Sequence, residues 1–290
     1  MRSFARLRLQ GPRDAMRSFA RLRLAQDDRR PAARGVRMTT GMGQWPGQLK
    51  LAATMPAATT RAGSVRRRLD ACLVLCLSSR NAMVTIATRD GSMDRRSLPG
   101  ILRALAAELE AEGVASLHLV VCGGAALNAL GFVERPTLDV DVVALMGAHA
   151  DGAKFLTSAN PLPPELVTAA MRLASNLDLG ERWLNAGPTD LLRFGLPEGY
   201  ETRLVTRRYG RSLTVSFLGR FDLVCLKLYA LADTGPGKHE QDLRALAAPA
   251  EELEEAARWC RQHDPSSGFL VSLRKALLLL GAKDVAERLS

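Results

Sequence analysis

The chain has 290 residues, 47 % of them hydrophobic, and a net charge of +10 that is unevenly placed: residues 1–92 hold 18 Lys and Arg against 5 Asp and Glu, residues 93–290 hold 22 against 25. The length allows one large domain or two ordinary ones, and the basicity belongs to the N-terminal third, so it says nothing of what the larger part binds. Five dispersed cysteines (Cys72, Cys76, Cys122, Cys225, Cys260) exclude a disulfide framework and a zinc site, and the longest uncharged apolar run, 71–77, is far short of a membrane span, which points to reduced, small apolar thiols in a cytoplasmic protein.

Taken from the start, MRSFARLRL stands at 1–9 and again at 16–24, and residues 29–69 contain no acidic residue. Two short copies cannot bury a core as solenoid repeats do, and the Pro-, Gly-, Ala-, Thr- and Arg-rich stretch to residue 66 predicts a disordered basic segment over 1–92. A phosphate-binding arm and an Arg-rich transit leader are alternatives. The favoured reading is a mis-assigned start, with the native chain beginning at Met83 or Met93; a secretory signal within 66–80 is set aside because it is internal.

Organised sequence begins after Met93. Ser97 reads as an N-cap, with Pro99 in the first turn, and Leu98, Ile101, Leu102, Leu105 and Leu109 repeat at helical spacing until Gly113. Residues 117–121 form a strand, Gly123-Gly124 breaks it, and residues 125–130 give a short helix stopped by Gly131. Residues 139–145, alternating acid with apolar, predict a strand with one special face. A proline-opened helix over 163–179, short strands near 203–208 and 213–218 joined at Tyr209-Gly210-Arg211, and helices over 221–232, 238–247, 251–263 and 269–280 complete the order. This predicts an α+β fold, a small mixed sheet flanked by helices with a helical C-terminal part. The expected division is 1–92, 93–220 and 221–290.

Chemistry concentrates in 120–143. Asp139 and Asp141, two apart on a strand, should project to one side, where their repulsion is relieved by a divalent cation such as Mg²⁺. Gly123-Gly124 lies between a strand and a helix N-terminus, where backbone N–H groups meet a phosphate without side-chain hindrance. Neither a Rossmann nor a P-loop fingerprint is present.

The run Gly123-Gly124-Ala125-Ala126-Leu127, Gly131, Arg135, Thr137 and Asp139-Val140-Asp141 resembles the first motif of the polymerase-beta-like nucleotidyltransferase superfamily, in particular its minimal bacterial branch of abortive-infection and type IV toxin nucleotidyltransferases. Residues 221–243 resemble that branch's later motif, and Arg182-Trp183-Leu184-Asn185 resembles a short signature between the two. The resemblance covers about 120–245. It implies a nucleotidyltransferase-type core in which Gly123 and Gly124 hold the triphosphate and Asp139 and Asp141 hold Mg²⁺. Arg135 would pair with phosphate or clamp the aspartate turn, Lys227 would reach a phosphate, and Lys238 and Asp242 would complete the site. Snorkelling of Lys227 and a surface Lys238–Asp242 ion pair are the structural alternatives; Asp222 reads as a helix cap and His239 as solvent-facing. The implied activity transfers an NMP group from an NTP to an RNA (tRNA-like) or protein hydroxyl, with a toxin role and an antitoxin partner in view and no membrane. Two departures stand out. Gly124 replaces the serine many members carry, and residues 213–219 offer Ser216 where a third carboxylate is often found. Either Asp242 substitutes for it, two carboxylates suffice, or the domain is a catalytically inactive nucleotide- or partner-binding module.

Overall fold

The computed structural model describes residues 91–289. The basic segment up to residue 90, with its repeat, Cys72, Cys76 and Met83, lies outside the described residues. Gly91, Ser92 and Met93 are buried, and Met93 exchanges backbone hydrogen bonds with Thr137 (2.7 and 2.8 Å).

The first helix, α1 (Leu98–Ala111), buries Leu98, Ile101, Leu102, Leu105 and Leu109, the stripe expected from 3.6-residue periodicity. Ser97 stands at the N-cap position but its side chain does not cap the helix. Asp94 organises the entry instead: its Oδ1 accepts from the backbone N–H of Ser97 (2.7 Å) and Arg96 (2.9 Å), while Ser97 Oγ accepts from the N–H of Asp94 (2.8 Å). These backbone donors hold the Asp94 carboxyl below its usual pKa.

Next come β1 (Leu117–Cys122), α2 (Gly123–Leu130), β2 (Val140–Ala148), β3 (Lys154–Thr157) and α3 (Pro164–Leu177). A two-residue strand, β4 (Leu184–Asn185), a 3₁₀ segment (Gly187–Phe194) and a single helical turn, α4 (Tyr200–Arg203), lead to β5 (Val205–Tyr209) and β6 (Leu213–Phe217). The sheet runs β3-β2-β1-β6-β5, with β4 beside β2. The β1–β6 and β2–β4 pairings are parallel and the others antiparallel. It is the small mixed sheet of an α+β chain. Strands β3 and β4 share the edge of β2 that faces away from β1: β3 pairs at Leu145–Ala148 and β4 at Val140–Asp141. Both were hidden in sequence, β3 by its length and β4 because two residues carry no period.

The helical part comprises α5 (Arg220–Thr234), α6 (Lys238–Leu246), α7 (Ala250–His263), α8 (Ser267–Leu279) and α9 (Lys283–Arg288). Helix α5 is its axis, buried continuously from Asp222 to Ala232 and packed by α6, α7 and α8. Each large aliphatic residue so enclosed contributes about 1.5–3 kcal/mol. Tyr229 stacks on Phe269 at 4.9 Å between centroids. Asp222 does act at the helix start, though as the third helical residue: its Oδ2 accepts from the N–H of Gly219 (3.1 Å) and its Oδ1 from Arg203 Nη2 (2.6 Å). Burial raises its pKa, with Arg203 opposing. His239, expected at the surface, is buried because α6 turns that face toward the core. One hydrophobic cluster runs through sheet and helices alike. No described helix is long and apolar enough to cross a membrane.

His263, at the end of α7, ties the helices to the sheet side: its Nδ1 faces Trp259 O (2.8 Å) and its Nε2 faces Gly195 O (3.2 Å). Burial holds its pKa below the usual 6.5, so unfolding takes up a proton at mildly acid pH. Its stabilising contribution is therefore complete above about pH 6.5 and declines as pH falls toward the folded-state value. Urea unfolding between pH 5 and 8 should show the midpoint rising with pH and then levelling, and His263→Leu should flatten that rise. An equal slope in the variant would assign it to other groups.

Candidate functional site

Antiparallel pairing of β1 and β2 sets Cys122 opposite Asp141, one residue before the diglycine. Helix α2 starts at Gly123 itself, with no intervening loop, through a left-handed φ of +71°. A Cβ on Gly123 would stand 2.1 Å from Asp141 Oδ2, so the carboxylate occupies the space a side chain would need. A Cβ on Gly124 would meet Thr137 Oγ1 at 2.7 Å and Thr137 Cβ at 3.1 Å. Thr137 Oγ1 in turn donates to Asp139 Oδ1 (3.1 Å). Asp139 lies just ahead of β2 and is partly exposed, whereas Asp141 is 1 % exposed inside the strand. Both aspartates are thus gathered at the diglycine, one directly and one through Thr137.

Two cationic residues converge from two segments on one carboxylate of a third. Arg135 Nε and Nη2 donate to Asp242 Oδ1 and Oδ2 at 2.9 and 2.8 Å, and Lys227 Nζ lies 2.7 Å from Oδ2. Lys227 and Asp242 are buried, while a third of the Arg135 side chain reaches solvent. Burial alone would raise the Asp242 pKa, but the hydrogen bond from Arg135 and the charge of Lys227 outweigh it and hold the group below the usual range. Arg135 and Lys227 thus share one carboxylate. Arg135 Nη2 stands 3.9 Å from where a Gly124 side chain would begin, so the guanidinium adjoins the diglycine. Lys238 opens α6, partly exposed.

Two further residues belong here, and both stand in motifs already noted. Thr137 is the threonine between Arg135 and Asp139. Asn185 closes the Trp183-Leu184-Asn185 run, and β4 sets it in register beside Asp141. Its Nδ2 donates to Asp141 Oδ1 (3.3 Å), and its Oδ1 accepts from the N–H of Gly187 (2.9 Å). Trp183 secures the approach: its indole N–H donates to Ala170 O (3.0 Å) and its carbonyl accepts from Val140 N (2.5 Å). Ser216, on β6, is separated from β2 by β1 and is bonded instead to His118 Nε2 (2.8 Å) and Thr206 Oγ1 (2.7 Å).

The carboxylates at the diglycine are hard oxygen ligands of the kind Mg²⁺ takes together with phosphate oxygens and water. Asp139 and Asp141 fit such an ion in kind. Among the described residues, no group of three or more His, Cys, Asp or Glu is placed to hold a metal. The orphan N–H groups at the start of α2 and the adjoining positive charge suit a phosphate chain.

Removing the shared carboxylate should expose its energetic role. Asp242→Asn removes the carboxylate that Arg135 and Lys227 share and is expected to cost about 3–5 kcal/mol in urea unfolding. Replacing all three residues together by Met, Met and Leu should restore most of that loss; a single variant with native stability would refute the coupling. No family model matches this sequence, and comparison with curated proteins and with solved structures likewise finds no match.

Proposed function

We propose that the chain is a Mg²⁺-dependent nucleotidyltransferase that moves an NMP group from an NTP to a hydroxyl of RNA or protein. The observation that carries this reading is the contact of Asp141 Oδ2 with the position of a Gly123 side chain, which joins the acid-bearing strand to the helix-opening turn. Motif order in the sequence and the Arg135 guanidinium beside Gly124 support it.

Asp139 and Asp141 would hold the ion, whose chemistry is to spread charge across the triphosphate and acidify an acceptor hydroxyl. The α2 N-terminus and Arg135 orient the phosphate chain so that the α-phosphorus faces the acceptor. Lys227 and Arg135 offset the charge that develops on departing pyrophosphate, while Asp242 keeps both cations in place. A toxin acting beside an antitoxin is the biological setting that the motif resemblance suggests.

A second reading, a nucleotide- or partner-binding module without turnover, is favoured by one observation: the residue in register with Asp141 on β4 is an amide, Asn185. Labelled NTPs, Mg²⁺ and mixed RNA and protein acceptors separate the two. Transfer by the full chain should fall at least ~100-fold in Asp141→Asn. Gly123→Ala should do similar damage by displacing the carboxylate. Nucleotide binding without transfer would select the module, and neither binding nor transfer would end the transferase reading and leave only a partner-binding module.

A further inference from the structure

We infer that Asn185 is a positioning residue of this site, holding Asp141 against the diglycine while keeping the local negative charge low, so that a divalent cation is gathered together with the nucleotide rather than held beforehand. The inference rests on the proposed transferase reading and adds to it the order in which cation and nucleotide assemble.

The orientation of the amide follows from its two partners. Gly187 N–H can only donate, so the atom of Asn185 facing it at 2.9 Å must be the oxygen. The NH₂ group is then the atom that faces Asp141 Oδ1. The reverse orientation would set an amide oxygen against a carboxylate and a donor against a donor. Strand register fixes the side chain's reach, since Val140 and Asp141 pair with Leu184 and Asn185. Asp141 is consequently gripped from two directions, with one oxygen at Asn185 and the other over Gly123.

An acid at 185 would have the same shape and the opposite effect. One of its oxygens would still accept from Gly187 N–H, and the other would confront Asp141 Oδ1, two like charges whose repulsion a bound divalent cation would relieve. Three clustered carboxylates hold a divalent ion without help. Two carboxylates and an amide donor attract it less, and the charge of a triphosphate at the neighbouring helix terminus supplies the remainder.

Mn²⁺ binding to the full chain, followed by the loss of its free-ion EPR signal with and without a non-hydrolysable ATP analogue, tests this without reference to turnover. The native chain should bind Mn²⁺ at least ~10-fold more tightly with the analogue than alone. Asn185→Asp should bind Mn²⁺ alone at least ~10-fold more tightly than the native chain, a difference of about 1.4 kcal/mol. Asn185→Ala, which adds no charge, should weaken analogue-dependent Mn²⁺ binding ~10- to 100-fold, as loss of a residue orienting a metal ligand does, and Asn185→Ser should recover part of it. Unchanged Mn²⁺ affinity in both Asn185→Asp and Asn185→Ala, with analogue binding intact, overturns the role of Asn185 and leaves the transferase reading standing. Failure of the native chain to bind Mn²⁺ and the analogue together overturns both.

Discussion

A single buried carboxylate, Asp242, determines how the rest of the molecule is arranged around the diglycine. Isolating such a charge from water is costly, and here the cost is offset by a bidentate arginine and a lysine. The three residues come from the segment before β2, from α5 and from α6, so satisfying one carboxylate docks the helical part on the sheet. The same segment is held again where Asn128 Nδ2 donates to Arg135 O (2.9 Å), and again where Met93 bridges Thr137. Residues 131–139 have no regular structure of their own, yet they are pinned at three places. The aspartates that follow inherit that rigidity.

The acids of the site are treated differently, and the difference is chemical. Asp242 receives two cations and so is drawn into a structural role. Asp141 faces an amide donor and the diglycine turn, which orient its carboxylate. Asp139 is oriented by a hydroxyl. The three aspartates thus stand in three different settings, beside two cations, an amide and a hydroxyl.

Much of this was readable in the sequence because local patterns were strong. The leucine stripe of α1, the apolar run of β1, the acid–apolar alternation of β2 and the amphipathic C-terminal helices all declare themselves by period. Pairing across the sheet does not. The sequence search for a further acid turned to Ser216, because β6 is a recognisable strand, whereas the neighbour of β2 is β4, two residues long and established by Trp183 and register rather than by composition. Nor does sequence show which way a charged helical residue turns: Lys227 and Asp242 stand on different helices and meet only once α5 and α6 pack. The burial of His239 is illegible for the same reason, since one imidazole in a polar helix says little about which face is covered.

The contact between Gly124 and Thr137 links two positions that are thirteen residues apart. Thr137 fills the volume that any side chain at 124 would claim, and its hydroxyl already lies at the helix entrance. A serine at 124 would require a smaller residue at 137, and the two exchanges make sense only as a compensating pair. A hydroxyl at this corner can be supplied from either segment of the chain, but there is room for only one.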